Sequence, residues 1–258
     1  MGRSTLRDMV SHRNLKSGTL VWEFATPGIG HLLAAGGSDY VFLDTEHSGL
    51  GIDALKSTLQ YLKAGAIPAL VRPPGRSYES IARALDAGAE GLILPMVGSE
   101  EEAERIVACA KYAPRGARGV ALGIAHDDYT GGPVAEKLAQ ANRRTVIFAL
   151  IETRQGAENV ERIAAVDGID GLWIGHLDLS TSLGVPGRFE HPDYMAAVDR
   201  IAAAARAQGK SLGRMTESAD EGAVLHARGF DFIAVGTDTQ LYANALRSEL
   251  EALRARCG

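Results

Sequence analysis

Four polar clusters in the chain carry side chains able to do chemistry, and each stands directly after a short apolar run. They are Asp44-Thr45-Glu46-His47, Arg72-Pro73-Pro74, Glu152-Thr153-Arg154 and Gly175-His176-Leu177-Asp178. Carboxylates such as Glu152 and Asp178, with the remaining positions left to water and ligand, suit a hard divalent ion: Mg2+ or Mn2+, with Co2+ a further candidate. A histidine such as His47 can serve as a general base, and an arginine such as Arg72 can hold developing negative charge. Each also has a structural reading. Glu152 could pair with Arg154, Asp178 could cap the segment after it, His47 could be a rim histidine, and Arg72 an ion-pair partner. Catalysis through a Schiff base needs a desolvated lysine in the site, and none of Lys16, Lys56, Lys63, Lys111, Lys137 and Lys210 follows a strand-like run. No serine sits in a GxSxG turn, and Cys109 and Cys257 show no metal-type spacing, so both read as reduced and incidental.

What must position these clusters is an alternation of short apolar runs with helix-patterned segments. The strand-like runs are Thr19–Phe24, Tyr40–Leu43, Ala69–Val71, Gly91–Leu94, Val146–Ile151, Gly171–Ile174, Ser211–Leu212 and Phe232–Val235. The helical segments are predicted at 29–35, 52–64, 78–87, 100–111, 157–165, 192–208, 218–228 and 241–255. The runs lack strict polar alternation, as expected of parallel strands buried on both faces. Eight βα units in 258 residues are the size of an (α/β)8 TIM barrel. A doubly wound open sheet is the alternative, and the lack of a GxGxxG opening after the first run disfavours it. In a barrel the four clusters would meet at one rim. The fourth run ends in Pro95, the seventh in Gly213-Arg214 and the eighth in Gly236-Thr237-Asp238. No composition break divides the chain, so residues 1–258 read as one domain. Its longest irregular stretch, Ala113–Gly132, holds His126-Asp127-Asp128-Tyr129, which could line the site or form a solvated turn.

A formal net charge of -5 and a pI near 5.8, with basic residues scattered, argue against nucleic acid or an anionic membrane as partner. The basic N-terminus lacks an apolar core and no stretch approaches the length of a spanning helix. A cytoplasmic protein with a small-molecule ligand is expected.

The sequence resembles the HpcH/HpaI aldolase family, class II pyruvate aldolases related to the citrate lyase β-subunit, from about Gly18 to Leu253. The segments that carry the likeness are Phe42-Leu43-Asp44-Thr45-Glu46-His47, Val71-Arg72-Pro73-Pro74, Ala84-Leu85-Asp86-Ala87-Gly88-Ala89-Glu90-Gly91 and Leu94-Pro95-Met96-Val97. Ile151-Glu152-Thr153, Asp178-Leu179-Ser180, Leu183-Gly184-Val185-Pro186-Gly187, His191-Pro192 and Gly236-Thr237-Asp238 follow in order. The resemblance implies a phosphoenolpyruvate/pyruvate-type barrel in which His47 is the general base, Arg72 the transition-state stabiliser and Asp86 the acid that raises the basicity of His47. Glu152 and Asp178 would be the metal ligands. The substrate would meet Arg72 and the Gly175-His176-Leu177-Asp178 segment, Leu177 through its backbone. It also implies a homo-oligomer, trimer or hexamer, whose last helix packs on a neighbouring subunit.

The expected reaction is metal-dependent cleavage or formation of a 4-hydroxy-2-oxo acid, to or from pyruvate or a related 2-oxo acid and an aldehyde. Oxaloacetate decarboxylation or another metal-enolate lyase reaction is the alternative on the same residues, and a barrel that binds metal without turnover a third. A phosphate-binding isomerase using Gly213-Arg214 and Gly236 is disfavoured by Asp238 beside them. Two residues depart from the common family pattern. Leu150 stands where Gln is frequent, and His176 replaces the Pro of Gly-Pro-x-Asp-Leu. Both alter what a substrate would meet.

Overall fold

The computed structural model describes residues 4–257. Eight parallel strands close into a barrel in sequence order: β1 (Lys16–Val21), β2 (Tyr40–Asp44), β3 (Ala69–Arg72), β4 (Gly91–Leu94), β5 (Val146–Ile151), β6 (Gly171–Ile174), β7 (Ser211–Thr216) and β8 (Phe232–Thr237). Helices cover its outside: α1 (Leu6–Met9), α2 (Ile29–Ala35), α3 (Ile52–Ala64), α4 (Tyr78–Asp86), α5 (Glu100–Ala110), α6 (Val134–Arg144), α7 (Arg154–Glu158), α8 (Val160–Ala165), α9 (His176–Ser182), α10 (Pro192–Ala207), α11 (Ala219–Ala227) and α12 (Asp238–Cys257). This is the (α/β)8 barrel that the rhythm of apolar runs predicts.

Two shells of apolar side chains hold it together. Because strand side chains alternate faces, one set points inward: Leu20, Tyr40, Phe42, Leu70, Ile93, Phe148, Leu150, Trp173 and Phe232 form a continuous interior cluster. The other set packs beneath the helices. Room for the interior rings comes from glycines on neighbouring strands. A methyl group at Gly171 or Gly213 would fall 2.3 Å or less from the Phe148 or Trp173 ring respectively, and one at Gly18 would fall 2.3 Å from the Tyr40 carbonyl oxygen and 3.1 Å from its ring. Leu6 and Met9 of α1, with Val10 just after it, join the same cluster and plug the N-terminal end of the barrel. No helix among the described residues is long and apolar enough to cross a membrane.

Several boundaries differ from those read in the sequence. β1 starts at Lys16 rather than Thr19, because Lys16 is neutralised by Asp231 at 3.1 Å and so can be buried in the barrel foot. β7 runs on to Thr216, so Gly213 and Arg214 lie within the strand; Arg214 is buried and paired to Glu221 of α11 at 2.8 Å. α1, α6 and α9 are additional to the predicted helices, and the segment predicted at 157–165 is broken at Asn159 into α7 and α8.

The Ala113–Gly132 stretch is irregular apart from one 3-10 turn, Ala125–Asp127. It folds against the barrel foot. Asp128 pairs with Lys63 at the end of α3, and the carbonyl of His126 accepts from Arg144, two residues before β5. The His126 ring is buried, with Nε2 2.6 Å from the Ala121 carbonyl. This cluster therefore lies at the opposite end from the polar rim.

Candidate active site

The C-terminal ends of β2, β3, β5 and β6 bring the predicted side chains to one mouth. Asp44 and Arg72 are register partners at the last positions of β2 and β3. Asp44 accepts from Nε of Arg72 at 2.8 Å and from Nη2 at 2.6 Å, a two-point contact that locks the guanidinium. Arg72 lies over the Phe42 ring at 5.4 Å, so ring and carboxylate together aim it. Burial opposes its charge. The hydrogen bonds and charge of Asp44, backed by Glu46 and Glu152, outweigh that and hold its pKa above the ordinary value. Nη1 has no hydrogen-bond partner among the described residues and remains for a ligand.

The loop after β2 is tied to the same place. Thr45 donates from its backbone N–H at 2.9 Å and from Oγ1 at 2.7 Å to the Arg72 carbonyl, and Ser48 Oγ donates to the Asp44 carbonyl at 2.7 Å. His47 stands on this loop with 58% of its side chain exposed. Its nearest recorded acid is Glu46, with Oε2 3.8 Å from Nε2.

Glu152 follows β5 immediately and is almost fully buried. Thr153 behind it accepts from the Gly156 N–H at 3.0 Å and so caps α7. Arg154 turns away, donating to the Leu183 carbonyl at 3.0 Å, so Glu152 and Arg154 do not pair. Instead the carboxylate accepts from the Met96 N–H at 2.7 Å. That N–H is aimed by a left-handed backbone at Met96, φ 56°, a conformation costing a non-glycine residue of order 1 kcal/mol. Burial pushes the Glu152 carboxyl up to about 7. The charges of Asp178 and Glu46 add to this, while the Met96 N–H and Arg72 oppose it. Gly175, just after β6, makes the space: a methyl group there would lie 2.4 Å from Glu152 Oε2.

Asp178 lies in the first turn of α9 on an exposed position. It accepts no hydrogen bond among the described residues, so it does not act as a cap there. Leu177 beside it is exposed, and its N–H is in the helix turn whose donors have no intrahelical acceptor. The His176 ring packs edge-on to Phe189 at 5.3 Å, and Phe189 lies under the Arg214 guanidinium at 5.7 Å. Burial, then Arg214, lowers the His176 pKa to about 4, so the ring is neutral near pH 7. Its recorded packing is with this outer cluster. Leu150, one strand period below Glu152, is sealed in the barrel interior and offers no donor to the mouth.

Asp86 is not brought to His47 within the chain. It ends α4, which runs back about 13 Å from the rim at 1.5 Å per residue, and it pairs with Arg118 at the foot. Asp44, Glu46, Met96 and Asp238 are the contributors that the sequence reading did not place. Asp44 and Glu46 stand beside His47 in a cluster already singled out, so period-2 alternation could have marked Asp44 as inward with Arg72. The Met96 contribution is a backbone N–H and leaves no side-chain signal. Asp238 accepts from the N–H groups of Glu23 and Phe24 at 2.9 and 2.8 Å and pins the loop after β1 over the mouth.

Residues 24–245 match the family model described as HpcH/HpaI aldolase/citrate lyase. A 2-keto-3-deoxy-L-rhamnonate aldolase of Klebsiella pneumoniae is 35% identical over 88% of this chain and 85% of its own length. A 5-keto-4-deoxy-D-glucarate aldolase of Shigella dysenteriae is 36% identical over 83% of each chain. The crystal structure of an HpcH/HpaI aldolase from Desulfitobacterium hafniense superposes with a TM-score of 0.91 at 29% identity, covering 97% of this chain and 96% of the other. Barrel, strand-end acids and sequence thus converge: the chain is a carbon–carbon lyase belonging to the HpcH/HpaI aldolase/citrate lyase family.

Proposed function

We propose that the chain, acting as one barrel domain in the cytoplasm, cleaves and forms 4-hydroxy-2-oxo acids, with pyruvate or a related 2-oxo acid and an aldehyde as partners. Glu152 and Asp178 hold a divalent cation, Mg2+ or Mn2+. The observation that carries this reading is electrostatic. Asp178 and Glu46 add negative charge around Glu152, which only Arg72 and the Met96 N–H oppose, and burial first and these acids second push Glu152 up to about 7, a repulsion that a divalent cation relieves. Among the described residues no group of three or more His, Cys, Asp or Glu side chains forms a full ligand set. Two carboxylates with water and substrate oxygens suit Mg2+ or Mn2+.

When bound there, such a cation supplies the positive charge a 2-oxo acid needs as its C3–C4 bond breaks. His47 takes the proton from the C4 hydroxyl, C4 becomes the aldehyde carbon, and the bonding pair passes to C3. Arg72, fixed by Asp44, offers Nη1 to the oxygen on which negative charge develops. The Leu177 N–H faces the substrate carboxylate.

The test is pyruvate release from 4-hydroxy-2-oxo acids by the Mn2+-loaded protein. Chelation and metal-free dialysis are expected to abolish it, and His47→Ala and Asp178→Ala to lower kcat at least about a hundredfold. Full activity in the metal-free protein refutes the reading.

A further inference from the structure

The loop between β2 and α3 carries a carboxylate that the chemistry above leaves without a role. Glu46 Oε2 lies 3.3 Å from Nε of Arg72 and 3.8 Å from Nε2 of His47, so one oxygen stands between the two groups that handle the proton and the developing charge. Its place is built in. The Glu46 N–H donates to Asp44 Oδ1 at 3.0 Å, and Thr45 is clamped to the Arg72 carbonyl. Among the described residues Glu46 is the acid paired with His47, while Asp86 is engaged by Arg118 at the other end of the barrel.

We propose that Glu46 is a positioning residue, coupling the orientation of the His47 ring to that of the Arg72 guanidinium. This rests on the lyase reading above. At 3.8 Å the contact is longer than a hydrogen bond. It strengthens when the ring takes a proton, because an opposite charge then stands beside the carboxylate. In the cleavage direction that moment coincides with C3–C4 breakage, so Glu46 favours the reacting state over the resting one. The other charged groups at this mouth are Asp44, Arg72, Glu152 and Asp178.

The experiment compares the full-length, Mn2+-loaded parent with Glu46→Gln and Glu46→Asp. Pyruvate release gives kcat, KM and their pH profiles; the His47 ring, assigned by its loss in His47→Gln, is titrated by NMR in parent and variants loaded with diamagnetic Mg2+ in place of Mn2+. Glu46→Gln is expected to lower kcat about 10- to 100-fold, a fraction of what a general base supplies, with KM changed less than about threefold. The acid limb of the kcat profile and the His47 titration should both move to lower pH, and Glu46→Asp should restore part of each. Thermal unfolding checks that the variants fold. A parent-like kcat, or a lower kcat with the His47 titration unmoved, overturns the proposal. If the parent itself releases no pyruvate, the lyase reading fails separately and the NMR titration still decides the Glu46–His47 pairing.

Discussion

At the scale of single residues, the proposal that Glu152 is a metal ligand ties its response to pH to its response to metal. Its carboxyl is raised from an ordinary 4.5 to about 7, by burial first and by neighbouring acids second. An acid whose pKa is higher folded than unfolded favours folding when protonated. Its contribution is complete below about 4.5 and is lost as pH climbs to about 7, a change of about 3 kcal/mol for a shift of this size. The metal-free protein should therefore unfold at lower temperature at pH 8 than at pH 5.5 through this group. Divalent cation compensates at the higher pH, because binding requires the deprotonated carboxylate and releases its proton. Calorimetry with and without Mn2+ across that range checks both signs. Metal affinity that does not weaken below pH 7 contradicts the assignment of Glu152 as a ligand.

At the scale of elements, the barrel works by interleaving glycines with rings. Gly213 on β7 accepts the face of Trp173 from β6, and a Cβ there would sit 2.2 Å from the indole. Gly213→Ala should cost about 1–3 kcal/mol, the range for overpacking a filled core, measured as a lower urea midpoint with unchanged slope. Equal stability would mean that the interior layer has slack. The same crowding explains why β7 extends beyond its apolar run, Ser211–Leu212, to Thr216. Its inward positions hold Gly213 and its outward ones Arg214, whose burial depends on Glu221 of a helix that follows. Apolar runs mark strands only where the strand buries apolar groups by itself.

For the molecule as a whole, α12 poses the question of assembly. Tyr242, Leu246, Leu250 and Leu253 recur every three or four residues along it and remain 62%, 45%, 39% and 56% exposed. A helix with such a stripe gains stability by burying it, and we propose that it does so in the homo-oligomer the family resemblance implies, with α12 packed on a neighbouring copy. Leu246→Glu combined with Leu253→Glu is expected to reduce the mass measured by light scattering to that of a single chain. An unchanged mass, or a wild-type protein already monomeric, rules out that use of the helix.

Barrel class and the rim position of His47, Arg72, Glu152 and Asp178 were legible in the sequence. Both follow from local facts: short apolar runs at βα spacing, and the residue type standing after each run. Contacts between distant segments were not legible. Only the closed barrel sets Asp44 against Arg72, turns the Met96 N–H onto Glu152, and clears space for Glu152 with Gly175. The tertiary structure likewise places Glu46 beside His47 and sends Asp86 and His126 to the opposite end, since α4 runs antiparallel to the strands and the loop after α5 folds under the foot. Periodicity reports which residues face a core. The direction in which a polar side chain finds its partner depends on three-dimensional neighbours that no stretch of sequence contains.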